Sequence, residues 1–184
     1  MEMIRRPITV AEYNRMAEVG ILDPDERVEL LDGDIVVVPP QGPEHASIIT
    51  RTHEELVRRL ERRAIVTSQI PVILSDRSEP EPDIAVLARR DDYYKSALPS
   101  AADIRALVEV ADSSLRIDRG AKLRIYSEAG IEEYWVIDVK RNVIEVYREP
   151  RDGRYESLTT LCPGDDASFL AFPDDVFTVD ELIG

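Results

Sequence analysis

The sequence predicts an α/β (α+β) protein in which a mixed sheet is flanked by helices. Short, fully apolar stretches such as DIAVL and ALVEV are typical of strands that are covered on both faces. They alternate with two longer segments whose apolar residues recur at helical spacing. The 184 residues are 43% hydrophobic and 33% charged, which is the composition of a globular protein with a core of its own.

The composition excludes several classes of protein. One cysteine, Cys162, cannot form a disulfide framework, and two histidines are too few for a His-rich metal site. No apolar run approaches the roughly 20 residues that span a bilayer, and the N-terminal MEMIRRPIT lacks the apolar stretch of a signal peptide. We therefore expect a cytoplasmic protein without a membrane partner. The net charge of −14 argues against a nucleic-acid coat protein, but not against an enzyme with one local basic face.

The N-terminal segment predicts a helix followed by a hairpin. Thr9 is a suitable helix cap with Glu12 at the capping-box spacing, so a helix is expected over residues 9–19. Two strand-like stretches then flank Asp32-Gly33, a dipeptide typical of tight turns. These strands are expected over residues 28–31 and 35–38.

The later elements are expected in the order helix, strand, strand, strand, helix, strand and hairpin. One helical stripe contains Ile48, Ile49, Thr52, Leu56 and Leu60, which predicts a helix over residues 45–63. A second helix is expected over residues 118–129. Strands are expected at 64–74, 82–87, 106–110 and 133–139, with a C-terminal hairpin at 142–148 and 154–161. We expect one domain, with an extension at 1–44, a core at 45–139 and C-terminal strands at 140–184.

Two carboxylates and one lysine stand out because they lie in apolar elements. Asp83 heads the strand DIAVL and Glu109 interrupts LVEV, where an ionised carboxylate is costly unless it is paired or bound to a metal. Lys122 shares a helix face with Ile125 and Tyr126 and should point inwards. Mg²⁺ or Mn²⁺ favours one or two carboxylates with substrate phosphate, and a lysine can stabilise developing negative charge. The set suits metal-dependent phosphodiester hydrolysis.

The motifs around these residues support a family resemblance. EPDIAVL … LVEVADSS resembles the signature of the PD-(D/E)XK restriction-endonuclease-like superfamily. With VELLDG, PEHASI and DRGAKLRIYSEAGIEEYWVID, the chain is similar to the Uma-two family of endonucleases from about residue 7 to residue 180. The resemblance implies a restriction-endonuclease-like sheet, Mg²⁺ or Mn²⁺ as the cofactor, and a nucleic-acid substrate that we expect to be DNA.

The resemblance also implies a set of site residues. The implied catalytic residues are Asp83, Glu109, Lys122, Glu29 and His45, and the implied metal ligands are Asp83 and Glu109. The superfamily places its lysine two positions after the second acid, where this chain has Ala111. Lys122 fits a variation in which the lysine has moved to the following helix. Gln69, which precedes the Pro-Asp turn, is a further candidate.

Each of these residues also has a purely structural interpretation. The two acids could cap a turn or pair with an arginine, and Lys122 could form a surface pair with Asp118. Glu29 could be an exposed strand residue, and His45 a helix N-terminal residue without chemistry. The arginine run at 58–63 is typical of a solvated helix end, although it could contact a nucleic-acid backbone.

Three functional hypotheses follow from the sequence. The first is a metal-dependent DNA endonuclease. The second, which Ala111 and the net charge motivate, is a catalytically inactive nuclease-fold module that binds nucleic acid or a protein partner. The third is a homodimer joined through exposed strand edges, and it is compatible with the first.

Overall fold

The computed structural model describes residues 5–184, and the signal-peptide expectation rests partly on residues 1–4, which lie outside them. Four elements form the N-terminal part: α1 (Val10–Glu18), β1 (Val28–Leu31), β2 (Asp34–Val37) and α2 (Pro43–Leu60). The capping box is confirmed, since the Thr9 hydroxyl accepts from the Glu12 amide and the Glu12 carboxylate accepts from the Thr9 amide. Gly33 has φ +81°, and a Cβ there would lie 2.4 Å from the Pro7 Cβ, so the turn requires glycine.

A six-stranded mixed sheet forms the centre of the fold. Its strands are β3 (Ala64–Ser68), β4 (Ile84–Ala88), β5 (Ile104–Ala111), β6 (Glu133–Asp138), β7 (Val143–Arg151) and β8 (Arg154–Leu161), and they lie in that order across the sheet. Only β5 and β6 are parallel to each other, and the remaining neighbours are antiparallel. A mixed sheet flanked by helices is therefore confirmed.

The chain between β5 and β6 is helical but not uniform. It runs through α3 (Leu115–Ile117), a π-helical turn (Asp118–Lys122) and α4 (Leu123–Glu128). The sequence predicted one helix starting at residue 118, so the structure adds three residues before it and a π turn within it. β3 is shorter than expected because Gln69 adopts φ +55° and Pro71 follows, which ends the regular pairing.

The C-terminal segment contains three elements that the sequence analysis did not anticipate. They are β9 (Asp166–Phe169), β10 (Phe172–Thr178) and α5 (Val179–Ile183). Two of the arginines in the run at 58–63 bind this segment: Arg59 donates to Glu181 at 3.1 Å, and Arg63 forms a bidentate pair with Asp175 at 2.7 and 2.8 Å. These two arginines are therefore paired with the C-terminal segment, while Arg63 remains a solvated residue at the end of the helix with a side chain that is 51% exposed.

Strand alternation builds two separate cores on the two faces of the sheet. On β6, Trp135 packs with Ile48 and Phe169 on one face, while Tyr134 packs with Tyr126 on the other. The first core is covered by α2 and α5, and the second by α4 and the β1 strand. Among residues 5–184, no helix has both the length and the apolar character to cross a membrane.

Candidate active site

Sheet register places Asp83 and Glu109 next to each other on one face. Ile84 pairs with Val108 across β4 and β5, so the next positions outward, Asp83 and Glu109, are also opposite one another. Leu107, two residues from Glu109, belongs to the core under α4. Because side chains alternate along a strand, Glu109 projects towards the same side of the sheet.

Backbone groups hold the two carboxylates in this arrangement. The Asp83 N–H donates to Glu109 Oε2 at 3.3 Å, and the Val110 N–H donates to Asp83 Oδ2 at 2.9 Å. Only 8% of Asp83 and 3% of Glu109 is exposed. The two acids therefore have fixed positions at the point where β4 begins and β5 ends.

Lys122 reaches this pair from the helix that crosses the sheet. Its ammonium lies 2.9 Å from Glu109 Oε1 and 3.2 Å from Glu29 Oε1. Tyr126, one turn further along, donates its hydroxyl to the same Glu109 oxygen at 2.7 Å. Lys122 is 6% exposed, so the interpretation of Lys122 and Asp118 as a surface pair is wrong.

Glu29 and His45 come to the site from two further elements. Glu29 lies on β1 and is 3% exposed, which excludes the interpretation as an exposed strand residue. His45, in the first turn of α2, brings Nε2 to 3.3 Å from Asp83 Oδ2, so it is not isolated at the helix end. The Gln41 amide also faces Asp83, at 3.5 Å from Oδ1.

The five residues that the family resemblance implied all line one cleft, with a volume of about 70 Å³. Its acidic lining residues are Glu29, Glu81, Asp83, Glu109, Asp112 and Asp118, and its basic ones are Arg27 and Lys122, with His45 beside them. Gln69 does not line this cleft. Its backbone N–H bonds to the Pro82 and Asp83 carbonyls, each at 3.2 Å, so it supports the turn that carries Asp83.

The sequence analysis missed Asp118 as a component of this cleft. Asp118 is 1% exposed and one of its carboxylate oxygens, Oδ2, has no hydrogen-bond partner. A signal was present, since Asp118 stands four positions before Lys122 and eight before Tyr126, on the inward stripe of the same helix.

One ammonium is shared among several buried acids, and this sets the charge state of the site. Burial lowers the pKa of Lys122, but the carboxylates of Glu109, Glu29 and Asp118 outweigh that effect and raise it. Burial raises the pKa of Glu109 well above its usual value, and it raises the pKa of Asp118 to about 6 against the opposing charge of Lys122. Lys122 is therefore cationic, whereas the acids remain short of positive charge.

The negative charge of Asp83 also affects the pKa of His45. Burial lowers the pKa of this imidazole, but the hydrogen bond and the charge of Asp83 outweigh it, so the pKa of His45 is raised. A histidine in contact with a carboxylate can donate a proton or hold the carboxylate in place.

The donor set meets the requirements of a hard divalent cation. A buried carboxylate oxygen without a hydrogen-bond partner, Asp118 Oδ2, lines the same cleft as Asp83 and Glu109, and Glu29 shares the one Lys122 ammonium with Glu109. Mg²⁺ is commonly bound through one or two carboxylates, with water and substrate phosphate completing its ligands. Within residues 5–184, no group of three or more acidic, histidine or cysteine side chains is placed so that it could hold a metal ion. The cleft fits an ion that keeps water and substrate as ligands.

Comparison with known proteins gives the family. The family model described as "Uma2: Putative restriction endonuclease" matches residues 10–180. The chain belongs to the Uma2 family. Uma2 is the Uma-two family that the motifs resemble, so that prediction is confirmed. Restriction-endonuclease-like proteins generally use divalent metal ions.

A solved structure confirms the predicted fold. The crystal structure of "a putative nuclease belonging to DUF820" from Anabaena variabilis superposes with a TM-score of 0.75. It is 18% identical, and the match covers 96% of this chain and 98% of that one. No curated protein matches the chain. The protein therefore has a nuclease-like fold within a family of restriction-endonuclease-like proteins.

Proposed function

We propose that this Uma2 protein is a Mg²⁺- or Mn²⁺-dependent endonuclease that hydrolyses DNA phosphodiester bonds. One observation carries the proposal: the side chains of Asp83, Glu109 and Lys122 line one cleft, where Glu109 accepts from the Lys122 ammonium at 2.9 Å and from the Asp83 backbone N–H at 3.3 Å. Acids that lack enough positive charge, beside a buried cation, favour a divalent ion and a phosphate as the ligands that complete the site.

Asp83 and Glu109 are the proposed metal ligands, with Glu29 as the additional acid. When bound, the divalent ion would polarise a phosphoryl oxygen and lower the pKa of a water molecule. The side chains around it keep the ligands in place: His45 and the Val110 N–H hold Asp83, while Tyr126 holds Glu109.

Lys122 acts as a fixed positive charge in this proposal. Its raised pKa keeps the ammonium protonated at neutral pH, so it cannot take a proton from water as a general base. It can instead stabilise the negative charge that develops on phosphate, or orient the attacking water through an N–H donor. His45 can hold or donate a proton in contact with Asp83, since the hydrogen bond and the charge of that carboxylate raise the pKa of the imidazole.

The experiment is plasmid nicking by the full chain with Mn²⁺, with Mg²⁺ and with a chelator. We expect nicking by the wild type, a loss of at least about 10²-fold in Asp83→Asn, and no change in Asp91→Asn, whose side chain is exposed outside the cleft. Equal nicking by Asp83→Asn and the wild type would contradict the proposal. Single-stranded DNA and RNA tested alongside identify the preferred substrate form.

The inactive-module hypothesis makes the opposite prediction for the same experiment. It expects salt-dependent DNA binding with no metal-dependent cleavage of any substrate. The alanine at position 111 was one reason for this hypothesis. That reason is weaker in the structure, because Lys122 on the following helix supplies a cation to Glu109.

We further propose a single domain that acts in the cytoplasm as a homodimer. Exposed apolar residues near strand edges support the dimer, with Val37 59% exposed on β2 and Leu158 55% exposed on β8. Sedimentation equilibrium at micromolar concentration should give twice the chain mass, and one cooperative unfolding transition should be seen. A monomer would contradict the homodimer, and two separate transitions would contradict the single domain.

A further inference from the structure

The helix that carries Lys122 is interrupted by the π turn Asp118–Lys122. Such turns are rare and occur frequently at functional sites. Its two end residues, Asp118 and Lys122, are buried and line the cleft, whereas Gly120 and Ala121 between them are exposed. The remaining residue of the turn, Arg119, points away from the cleft to a different pair of acids.

Arg119 binds two acids on neighbouring strands of the sheet. Its guanidinium contacts Glu145 on β7 through Nε at 2.7 Å and Nη2 at 2.6 Å, and it contacts Asp138 at the end of β6 through Nη2 at 2.8 Å. The side chains of Asp138 and Glu145 are 2% and 7% exposed. A planar guanidinium that binds a carboxylate through two nitrogens fixes orientation as well as distance.

The sheet register ties this anchor to the candidate active site. Glu109 pairs with Val136, and Val136 pairs with Glu145, so the acid bound by Lys122 and the acid bound by Arg119 lie in one row across β5, β6 and β7. They are about 10 Å apart, which is two strand spacings. The π turn thus lies across this row, with one cationic side chain bound at each end of it.

We propose that Arg119 is a positioning residue that fixes the π turn to the sheet and thereby sets the place of the Lys122 ammonium relative to Glu109. The inference rests on the proposed function of Lys122. Besides Lys122, the turn is held where the Asp118 carbonyl accepts from the buried Tyr134 hydroxyl at 3.2 Å, and a single bond of this kind leaves the turn free to rotate about it. The attachment at Glu145 removes that freedom, so a loss of the guanidinium displaces the ammonium although no side chain that lines the cleft has been replaced.

Arg141 provides a matched control. It also contacts Glu145, at 3.3 Å, and Asp138, at 3.9 Å, but it belongs to the segment between β6 and β7 and not to the π turn. Replacing Arg141 removes a positive charge from the same two acids and leaves the helix attached. A difference in behaviour between Arg119→Gln and Arg141→Gln is therefore due to the lost attachment of the π turn to the sheet, and not to the lost positive charge beside the two acids.

The first measurement needs no catalytic activity. The lysines of the chain are Lys95, Lys122 and Lys140, and the first and last are exposed, so they act as internal references for acetylation by acetic anhydride. In the wild type we expect Lys122 to react far more slowly than either. Arg119→Gln should speed acetylation of Lys122 by about tenfold relative to Lys95, because the buried ammonium is exposed by local opening more often. Arg141→Gln should leave the ratio unchanged; equal ratios in the two variants would overturn the proposal.

The second measurement is nicking rate, and it separates positioning from general stability. Arg119→Gln should lower kcat by up to about 10²-fold with little change in KM. Arg119→Lys keeps the charge but cannot bind Glu145 through two nitrogens, so it should also lower kcat. In a Lys122→Met background, Arg119→Gln should cause no further loss, whereas a full additional loss would overturn the proposal. If the wild type nicks no substrate, the proposed function fails, and acetylation alone decides the role of Arg119. If Arg119→Gln does not fold, Arg119→Lys serves in both measurements.

Discussion

The Lys122 ammonium donates to Glu109 Oε1 at 2.9 Å across thirteen positions of sequence. The alanine at position 111, two residues after Glu109, therefore does not leave this acid without a cation. The helix that follows β5 supplies it, and Tyr126 on the same helix binds the same oxygen.

Lys122→Met should destabilise the protein strongly. The substitution leaves Glu29 and Glu109 buried beside each other without their cation, and breaking a buried pair in this way costs about 3–5 kcal/mol. Urea unfolding at pH 7 measures the loss. Lys140→Met is the control, because the Lys140 side chain is 71% exposed and its pair should contribute little. A loss in Lys122→Met no larger than in the control would contradict the account.

The sequence predicted this contact in outline. Asp83 and Glu109 were recognisable because a carboxylate within an apolar strand is unusual, and the inward stripe of the helix identified Lys122. The β4–β5 register could not be derived from the sequence, because a shift of one residue would place the acids on opposite faces of the sheet.

Other parts of the site and fold gave weaker signals. Asp118 was not included among the site residues, because its spacing to Lys122 also fits an ordinary exposed pair. The π turn leaves no pattern of its own in the sequence. The β9–β10 hairpin and α5 were missed because each of these elements is short, although Phe169, Phe177 and Leu182 are buried in the core that α2 covers.

Asp118→Asn should change how stability depends on pH. Burial raises the pKa of Asp118 from 3.8 to about 6, so the folded protein keeps this proton over a range where the unfolded chain has lost it. Stability of the wild type therefore falls as pH rises from about 4 to about 6, by on the order of 3 kcal/mol from this group. The asparagine variant lacks this contribution.

Urea unfolding at pH 4 and pH 7 tests this difference. Asp118→Asn should gain stability relative to the wild type at pH 7 and differ little at pH 4, while the exposed Asp91→Asn should follow the wild type at both. The same pH dependence in all three proteins would show that Asp118 is not held as a buried acid.

Divalent ions should stabilise the folded protein. An ion present at 100 times its dissociation constant adds about 2.7 kcal/mol, which corresponds to roughly 5–11 °C in Tm for a chain of this size. Thermal unfolding with Mn²⁺, and again after a chelator is added, measures the gain and its reversal. Asp83→Asn should lose most of the gain; an unchanged gain would mean that the ion binds elsewhere.

The Arg63 and Asp175 pair should contribute to stability and not to nucleic-acid binding. Arg63→Ala should lower Tm because it releases β10 from the end of α2, and the exchanged pair Arg63→Asp with Asp175→Arg should recover part of the loss. The salt dependence of DNA binding should be the same in the wild type and Arg63→Ala. A weaker dependence of DNA affinity on salt concentration in the variant would instead show that Arg63 contacts the nucleic acid.

Anomalous diffraction from crystals soaked in Mn²⁺ tests the central claim most directly. The account predicts an anomalous peak in the cleft, with carboxylate oxygens of both Asp83 and Glu109 at about 2.0–2.2 Å from it, and no such peak in Asp83→Asn crystals. A soaked wild-type crystal with manganese bound only outside the cleft, or with neither acid in contact with it, would contradict the account.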